Sequence, residues 1–243
     1  MVEIISESVL RSLRKDPIKL EGEFLHGSNY TFLVKVNPGE GEPFLAVYKP
    51  QEGERILWDF PDNTLAHREV AAYLVSQALG WNFIPPTVYR DDGPFGPGSV
   101  QFFIGHDPNY HYFNFSEDDF QRMRPVVLFD LLINNADRKG SHMIFGEDNS
   151  LWLIDHGLCF NVEEKLRTVL WDFAGDPVPD EMCEALKGFR EQLDPASEFY
   201  KELSAHLALD EIDALTTRAD HLIQMGYFPF PPNDRRAYPF PPL

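Results

Sequence analysis

The sequence predicts an α+β chain of two lobes: a small antiparallel-sheet lobe with one helix, followed by a larger, mostly helical lobe. Three observations carry that prediction. The first 105 residues hold five short runs of strand type, separated by Gly, Pro and Asn turns. One helical segment of about four turns interrupts them. After "GHDPNYHYFN" the texture changes to longer apolar runs without strand alternation. The chain has 243 residues, 43% of them hydrophobic and 14% aromatic, enough for one large domain or two closely packed lobes.

"SESVLRSLRKD" reads as a short amphipathic helix. "GEFLHGSNYTFLVKV" reads as two strands joined at "HGSN", where Gly27 and Asn29 tolerate positive φ. "NPGEGEP" is a turn and "FLAVYKP" a third strand. Its period of two places Leu45, Val47 and Lys49 on one face and Phe44, Ala46 and Tyr48 on the other. "DNTLAHREVAAYLVSQALG" predicts a helix with Asn63 or Thr64 as cap and Gly80 just past its end. "TVYRDD" and "GSVQFFIG" predict two more strands around "GPFGP".

In the second half, Ser116 and Asp119 make a capping-box-like start for "EDDFQRM", and Pro125 interrupts. "VVLFDLLINN" predicts a buried helix capped by Asn134 and Asn135. "SHMIF" and "LWLID" flank "GEDNS" as a hairpin. From residue 161 the reading is mostly helical, with starts at Asp194-Pro195 and Asp210 and a stop at Gly226. Trp171 and Asp172 read as braces of the large lobe. The tail repeats "YFPFPP" and "AYPFPP", short polyproline-like segments that pack on their own domain or offer a partner a binding segment. The expected division is 1–105, 106–226 and a tail at 227–243.

The net charge of −18 argues against a surface that holds nucleic acid or anionic membrane by long-range attraction. Cys159 and Cys183 read as reduced thiols, not a disulfide framework. The N-terminus lacks an apolar signal region, and no run reaches transmembrane length, so the expected compartment is the cytoplasm. His26, His67, His106 and His111 show no paired metal-site spacing and read as ordinary histidines.

Phosphoryl transfer from ATP needs a lysine on the phosphates, an acidic partner for it, a carboxylate that orients the attacking hydroxyl, and metal ligands. These residues occur in that order. Lys49 closes the third strand. Glu69 lies in the following helix, next to Val70, where it can turn inward to Lys49. Asp137 follows the buried helix, and Lys139 could neutralise charge on the transferred group. His142 comes next, and Asp155 follows "LWLI". Taken singly, each is ordinary; Asp137-Arg138 could be a surface turn with a weak ion pair.

"Asp-Arg-Lys-Gly-Ser-His" followed by "Leu-Ile-Asp-His-Gly" resembles the catalytic and metal-binding loops of bacterial phosphatidylinositol 3-/4-kinase-like proteins, which carry Asp-Arg-His-x-x-Asn and Asp-Phe-Gly. "VYKP…HREVAAYLVSQALG" is similar to their lysine strand and following helix, and HipA-type kinases share the general layout. The resemblance runs from about Glu21 to Phe160. It implies a protein-kinase-like two-lobed fold, ATP as cofactor and a divalent metal, Mg²⁺ or Mn²⁺. It further implies Asp137 as catalytic aspartate, Asp155 as principal metal ligand, and Lys49 on the α/β-phosphates with Glu69 as its partner. "GEFLHGSN" would cover the phosphates through backbone N–H groups of Gly27, Ser28 and Asn29, without a G-x-G-x-x-G pattern. Phe103 and Ile104, ending "GSVQFFIG", complete the cofactor-side candidates.

Two positions depart from the pattern. His142 stands where the family has a metal-binding asparagine, and His156 replaces the phenylalanine of Asp-Phe-Gly. The expected function is an ATP- and metal-dependent phosphotransferase acting on a protein or small-molecule hydroxyl. One alternative is a nucleotide-binding pseudokinase acting through interactions. The other is a metal-dependent hydrolase built on Asp137, His142, Asp155 and His156, which leaves Lys49 and Glu69 without a purpose.

Overall fold

The computed structural model describes residues 2–24 and 29–243. Its architecture is the predicted one, an antiparallel-sheet lobe followed by a helical lobe. The sheet contains β1 (Ile18–Glu23), β2 (Phe32–Val36), β3 (Phe44–Pro50), β4 (Thr87–Gly93) and β5 (Gly96–Phe102), in the order β1-β2-β3-β5-β4. Every neighbouring pair is antiparallel.

The strand period separates two environments. Ala46 and Tyr48 join Val34, Val36, Val88 and Val100 in a buried apolar layer. A first helix, α1 (Val2–Lys15), covers that layer through Leu13, and Arg90 ties its end down by donating to the carbonyls of Leu13 and Asp16. Lys49 therefore falls on the opposite face. There its cross-strand partner is Ser99, and Gln101 donates to Thr87 Oγ1 at 2.8 Å. This polar face looks toward the cleft. At Gly98 a Cβ would lie 2.4 Å from the Lys49 carbonyl, so any side chain there would displace the end of β3 that carries the lysine.

Helix α2 (Leu65–Ala78) crosses from the sheet to the large lobe and is buried nearly all round. Neither expected residue caps it. Thr64 has helical-region dihedrals, and its hydroxyl donates to Pro61 O. The Glu54 carboxylate, eleven residues upstream of Leu65, accepts the N–H groups of Leu65 (3.1 Å) and Ala66 (2.8 Å). An anion there also complements the helix dipole. Gly80 follows the helix at φ 72°, as expected.

The large lobe opens with α3 (Glu117–Gln121), capped by Ser116, and then α4 (Arg124–Ile133). Pro125 does not break the chain. It occupies the first turn of α4, where a missing N–H costs nothing. Asn134 ends α4 in the left-handed conformation at φ 53°. Strands β6 (Met143–Phe145) and β7 (Leu151–Leu153) form the predicted hairpin.

Residues 161–179 are irregular, not helical; they supply backbone partners to the loop after α4. Three helices follow: α5 (Asp180–Gln192), α6 (Glu198–Leu203) and α7 (Leu209–Met225). Ser197 caps α6, whereas Asp194 accepts the N–H of Ala196 in the preceding turn. Gly226 ends α7 at φ 69°.

The tail lies on its own domain. Ala237 O accepts Thr168 N–H and the Trp171 indole, and Pro242 O accepts Gly140 N–H. Asp172 accepts the Tyr112 hydroxyl, so both expected braces hold the large lobe. Cys159 and Cys183 are free thiols. No described helix is long and apolar enough to cross a membrane.

Arg68 of α2 is 1% exposed, pairs with Glu211 of α7 and donates to Cys159 O at 2.6 Å. Removing one member of such a pair strands the other. Arg68→Met should destabilise by about 3–5 kcal/mol in urea unfolding. A loss below ~1 kcal/mol would show that α2 is not anchored through this residue.

Candidate functional site

Lys49, Glu69 and Asp155 meet where the two lobes face each other. The Lys49 ammonium contacts Glu69 Oε1 and lies 3.0 Å from Asp155 Oδ1. Glu69 Oε2 accepts the backbone N–H of His156 at 3.0 Å. The Glu69 side chain is 4% exposed, so its charge is satisfied within the protein, while that of Asp155 is 52% exposed toward the cleft. Burial alone would lower the Lys49 pKa, but the carboxylates of Asp155 and Glu69 outweigh it and raise it. Conversely, the Lys49 ammonium holds Asp155 well below the usual carboxylate range, outweighing the partial loss of water around this half-exposed carboxylate. Asp155 sits at φ 64°, a left-handed conformation enriched for aspartate among non-glycine residues.

The loop after α4 carries the second group. Asp137 Oδ2 lies 3.2 Å from Lys139 Nζ, and the Asp137 N–H donates to Asn135 Oδ1. Burial raises the pKa of Asp137, and Lys139 partly counteracts it. A carboxylate shifted upward is better matched to accepting a proton near neutral pH. Gly140 packs beneath Phe113; a Cβ would lie 2.8 Å from its ring.

His142 Nε2 lies 3.4 Å from Asp155 Oδ2, so the two candidate metal ligands converge. The His142 Nδ1 is buried and has no hydrogen-bond partner among the described residues. Burial lowers the His142 pKa to about 4, so the ring is neutral at pH 7, as a metal ligand must be. The donor set is one imidazole nitrogen, one carboxylate and whatever a phosphate supplies, which fits Mn²⁺ or Mg²⁺.

Arg138 is not part of a surface turn. It is 0% exposed and all five of its donors are used. It holds the buried Asp130 of α4 through Nε and Nη2, the carbonyls of His142 and Ile154 through Nη1, and His156 Nε2 at 2.8 Å through Nη2. Arginine only donates, so His156 Nε2 must accept and the ring proton belongs on Nδ1. Burial and the Arg138 charge push the His156 pKa down, consistent with a neutral ring. The departure at His156 is thus a structural contact, and it removes His156 from the imagined hydrolase ligand set.

Among the other candidates, Asn29 Oδ1 accepts the N–H of Arg55 at 2.8 Å, which ties it to the segment after β3. Gly27, Ser28 and His26 lie outside the described residues. The Phe103 N–H donates to Leu45 O and extends the sheet, so it is not free for a base. Ile104 O contacts the His106 ring at 2.9 Å. Sequence reasoning missed Asp130, Asn135 and Arg138. The available signal was Asp130, a lone charge in an apolar helical run.

No family model matches the chain. It is 40% identical to Protein Rv2133c of Mycobacterium tuberculosis over a 255-residue alignment covering 90% of each chain. The chain therefore belongs to the same family as that protein. Solved structures with a similar fold include the Golgi casein kinase with Mn/ADP bound (TM-score 0.60, 15% identity, 99% of this chain and 81% of that one). The Helicobacter pylori proinflammatory kinase CtkA is another (TM-score 0.55, 12% identity, 89% and 94%). Hydra Fam20 with sugar is a third (TM-score 0.53, 15% identity, 92% and 88%). At these identities they show the fold, which is protein-kinase-like.

The buried neutral histidines predict acid lability. The folded His142 pKa of about 4 lies below the ordinary 6.5, so the unfolded chain takes up a proton first as pH falls. Its stabilising contribution is present above pH 6.5 and is lost toward pH 4, at most ~3 kcal/mol. His206 shifts the same way. Urea midpoints should fall between pH 7 and 4.5, and less steeply in His142→Asn. Equal slopes in the two proteins would remove His142 from the account.

Proposed function

We propose that this member of the Rv2133c family is an ATP-dependent phosphotransferase of kinase type, acting on a hydroxyl of a protein or small molecule. The observation that carries this reading is the Lys49–Glu69–Asp155 contact across the cleft, with Asp137 and Lys139 on the adjoining loop. A hydrolase reading leaves that contact unexplained.

In this reading Lys49 holds the phosphates of ATP, and Glu69 keeps its ammonium charged and aimed. Asp155 and His142 would hold Mg²⁺ or Mn²⁺, which neutralises phosphate charge when bound. Asp137 orients the acceptor hydroxyl and accepts its proton. Lys139, now paired with Asp137, is placed to offset the charge developing on the transferred phosphoryl group. The order of these residues supports a phosphatidylinositol 3-/4-kinase-like ancestry. A lipid acceptor, a membrane surface and nucleic acid are all disfavoured by the net charge of −18. The cytoplasm remains the compartment of choice for this reading.

A second reading, nucleotide binding without turnover, rests on one observation: an imidazole at position 142 where the resembled family carries an asparagine. The Asp137–Lys139 pair on the loop after α4 favours turnover.

ATP with Mn²⁺ should raise the melting temperature, because a ligand of the folded state stabilises it by mass action. Asp155→Ala should abolish the metal-dependent part. Asp137→Asn should retain the shift but lose ADP release by a hundred-fold or more. No shift with any nucleotide sinks both readings; a shift without ADP release under any condition selects the second.

His142 should favour Mn²⁺ over Mg²⁺, because an imidazole nitrogen is a softer donor than an amide oxygen. His142→Asn should move the preference toward Mg²⁺ and His142→Ala should weaken both ions. Identical metal titrations for all three proteins would show that His142 is not a ligand.

A further inference from the structure

Residues 134–139, which include Asp137 and Lys139, form no helix and no strand, so their placement depends on partners from elsewhere in the chain. The first support is the segment 167–169. Arg138 N–H donates to Arg167 O at 3.0 Å, and the N–H groups of Arg167 and Val169 donate to Asn135 O (2.9 Å) and Arg138 O (3.2 Å). The second support is the tail. Thr168 N–H donates to Ala237 O at 3.0 Å, and further along Pro242 O accepts the Gly140 N–H at 2.8 Å. Gly140 is buried and directly follows Lys139. The tail therefore reaches the loop twice, once through Thr168 and once directly.

The tail is itself anchored. Ala237 is buried with Leu166 and Trp171, and the Trp171 indole donates to the same Ala237 carbonyl at 3.1 Å. Upstream, Arg235 donates to Leu166 O at 3.1 Å and pairs with Glu164. Pro239 is buried, whereas Tyr238 and Phe240 are 51% and 79% exposed. Burying those two rings is therefore not what the contact achieves. The prolines at 239, 241 and 242 fix φ and donate no N–H, so the segment makes a poor ladder strand but presents carbonyls on a stiff backbone. Little chain entropy is lost in offering Pro242 O to Gly140. Among the described residues, no tail residue hydrogen-bonds or ion-pairs with Lys49, Glu69, His142 or Asp155.

We propose that residues 237–242 are a positioning element of the phosphotransferase: they fix Gly140 and residues 167–169, and through them hold Asp137 and Lys139 in place for the acceptor. This rests on the roles given to Asp137 and Lys139 under the proposed function. The tail contacts none of the groups assigned to the nucleotide and metal, so its effect belongs in turnover and not in ATP binding. The effect can be large, because displacing a reacting group by about 1 Å can cost on the order of 100-fold in rate. A tail that only packed on its own domain would change stability alone. A tail that masked the acceptor side would slow the intact protein, and loosening it would raise the rate.

The test follows ADP release from ATP and Mn²⁺ with water as acceptor, amide exchange at Gly140, and the melting shift with ATP and Mn²⁺, all in the full chain. Pro239→Asp places a charge at the buried tail position and should lift the segment. It should lower kcat roughly ten-fold or more, with KM for ATP within about two-fold of wild type and the melting shift unchanged. Exchange at Gly140 should quicken in the same variant. Pro242→Ala keeps the carbonyl and should match wild type in every readout. If Pro239→Asp does not fold, Pro241→Gly with Pro242→Gly decides. It alters exposed residues only and frees their backbone, so it should lower kcat in the same way by a smaller factor. An unchanged kcat, a raised kcat, unchanged exchange at Gly140, or a loss carried by KM would each overturn the positioning role and leave the phosphotransferase reading standing. Wild-type protein that releases no ADP would overturn that reading, and this proposal with it.

Discussion

The carboxylate of Glu69 is the contact on which the arrangement of the two lobes depends. One oxygen takes the Lys49 ammonium from the sheet, and the other takes the His156 N–H from the large lobe. A buried carboxylate must have both kinds of partner or shift its charge, so neither lobe can move away without exposing a cost of several kcal/mol. Its chain neighbour Arg68 acts on the far side of the same helix, on Glu211 and Cys159 O. Two adjacent charged residues on α2 are therefore both buried, and each is satisfied partly by the large lobe. This accounts for a helix that lacks a solvent face over most of its length.

Arg138 plays the corresponding part within the large lobe. Its five donors reach α4, the end of the turn before β6, the end of β7 and the segment beyond it. The loop bearing Asp137 is thus built around a buried guanidinium. That geometry explains the histidine at 156: the position needs an aromatic ring, which Phe129 meets edge-on, and an acceptor, which phenylalanine lacks. Residues 167–169 of the irregular segment then pair with the backbone of Asn135 and Arg138 in the same loop, and Ala237 of the tail pairs with Thr168 in turn.

The chain is strongly acidic overall, and the site and the loop behind it set Lys49, Lys139 and the buried Arg138 among four carboxylates, Glu69, Asp130, Asp137 and Asp155. Global charge and local field therefore act in different ways. The first disfavours polyanionic partners at long range; in the proposed function a polyphosphate would be met at close range by Lys49 and Lys139 together with a divalent ion, not by a net positive field.

Local chemistry made much of this legible from the amino acids alone. Strand alternation around Lys49, the left-handed terminators Gly80, Asn134 and Gly226, and the hairpin at "GEDNS" depend on near neighbours in the chain, and the structure has each of them. The pairing of Lys49 with Glu69 was also readable, because strand and helix periods orient both side chains. What tertiary structure alone decided were contacts between distant segments. Glu54 rather than Thr64 caps α2, Arg138 is interior rather than exposed, and residues 161–179 are irregular, with 167–169 paired to the loop after α4, rather than helical. In each case a long-range partner satisfied a polar group more fully than the local alternative could, and no spacing in the sequence encodes which distant group will be that partner.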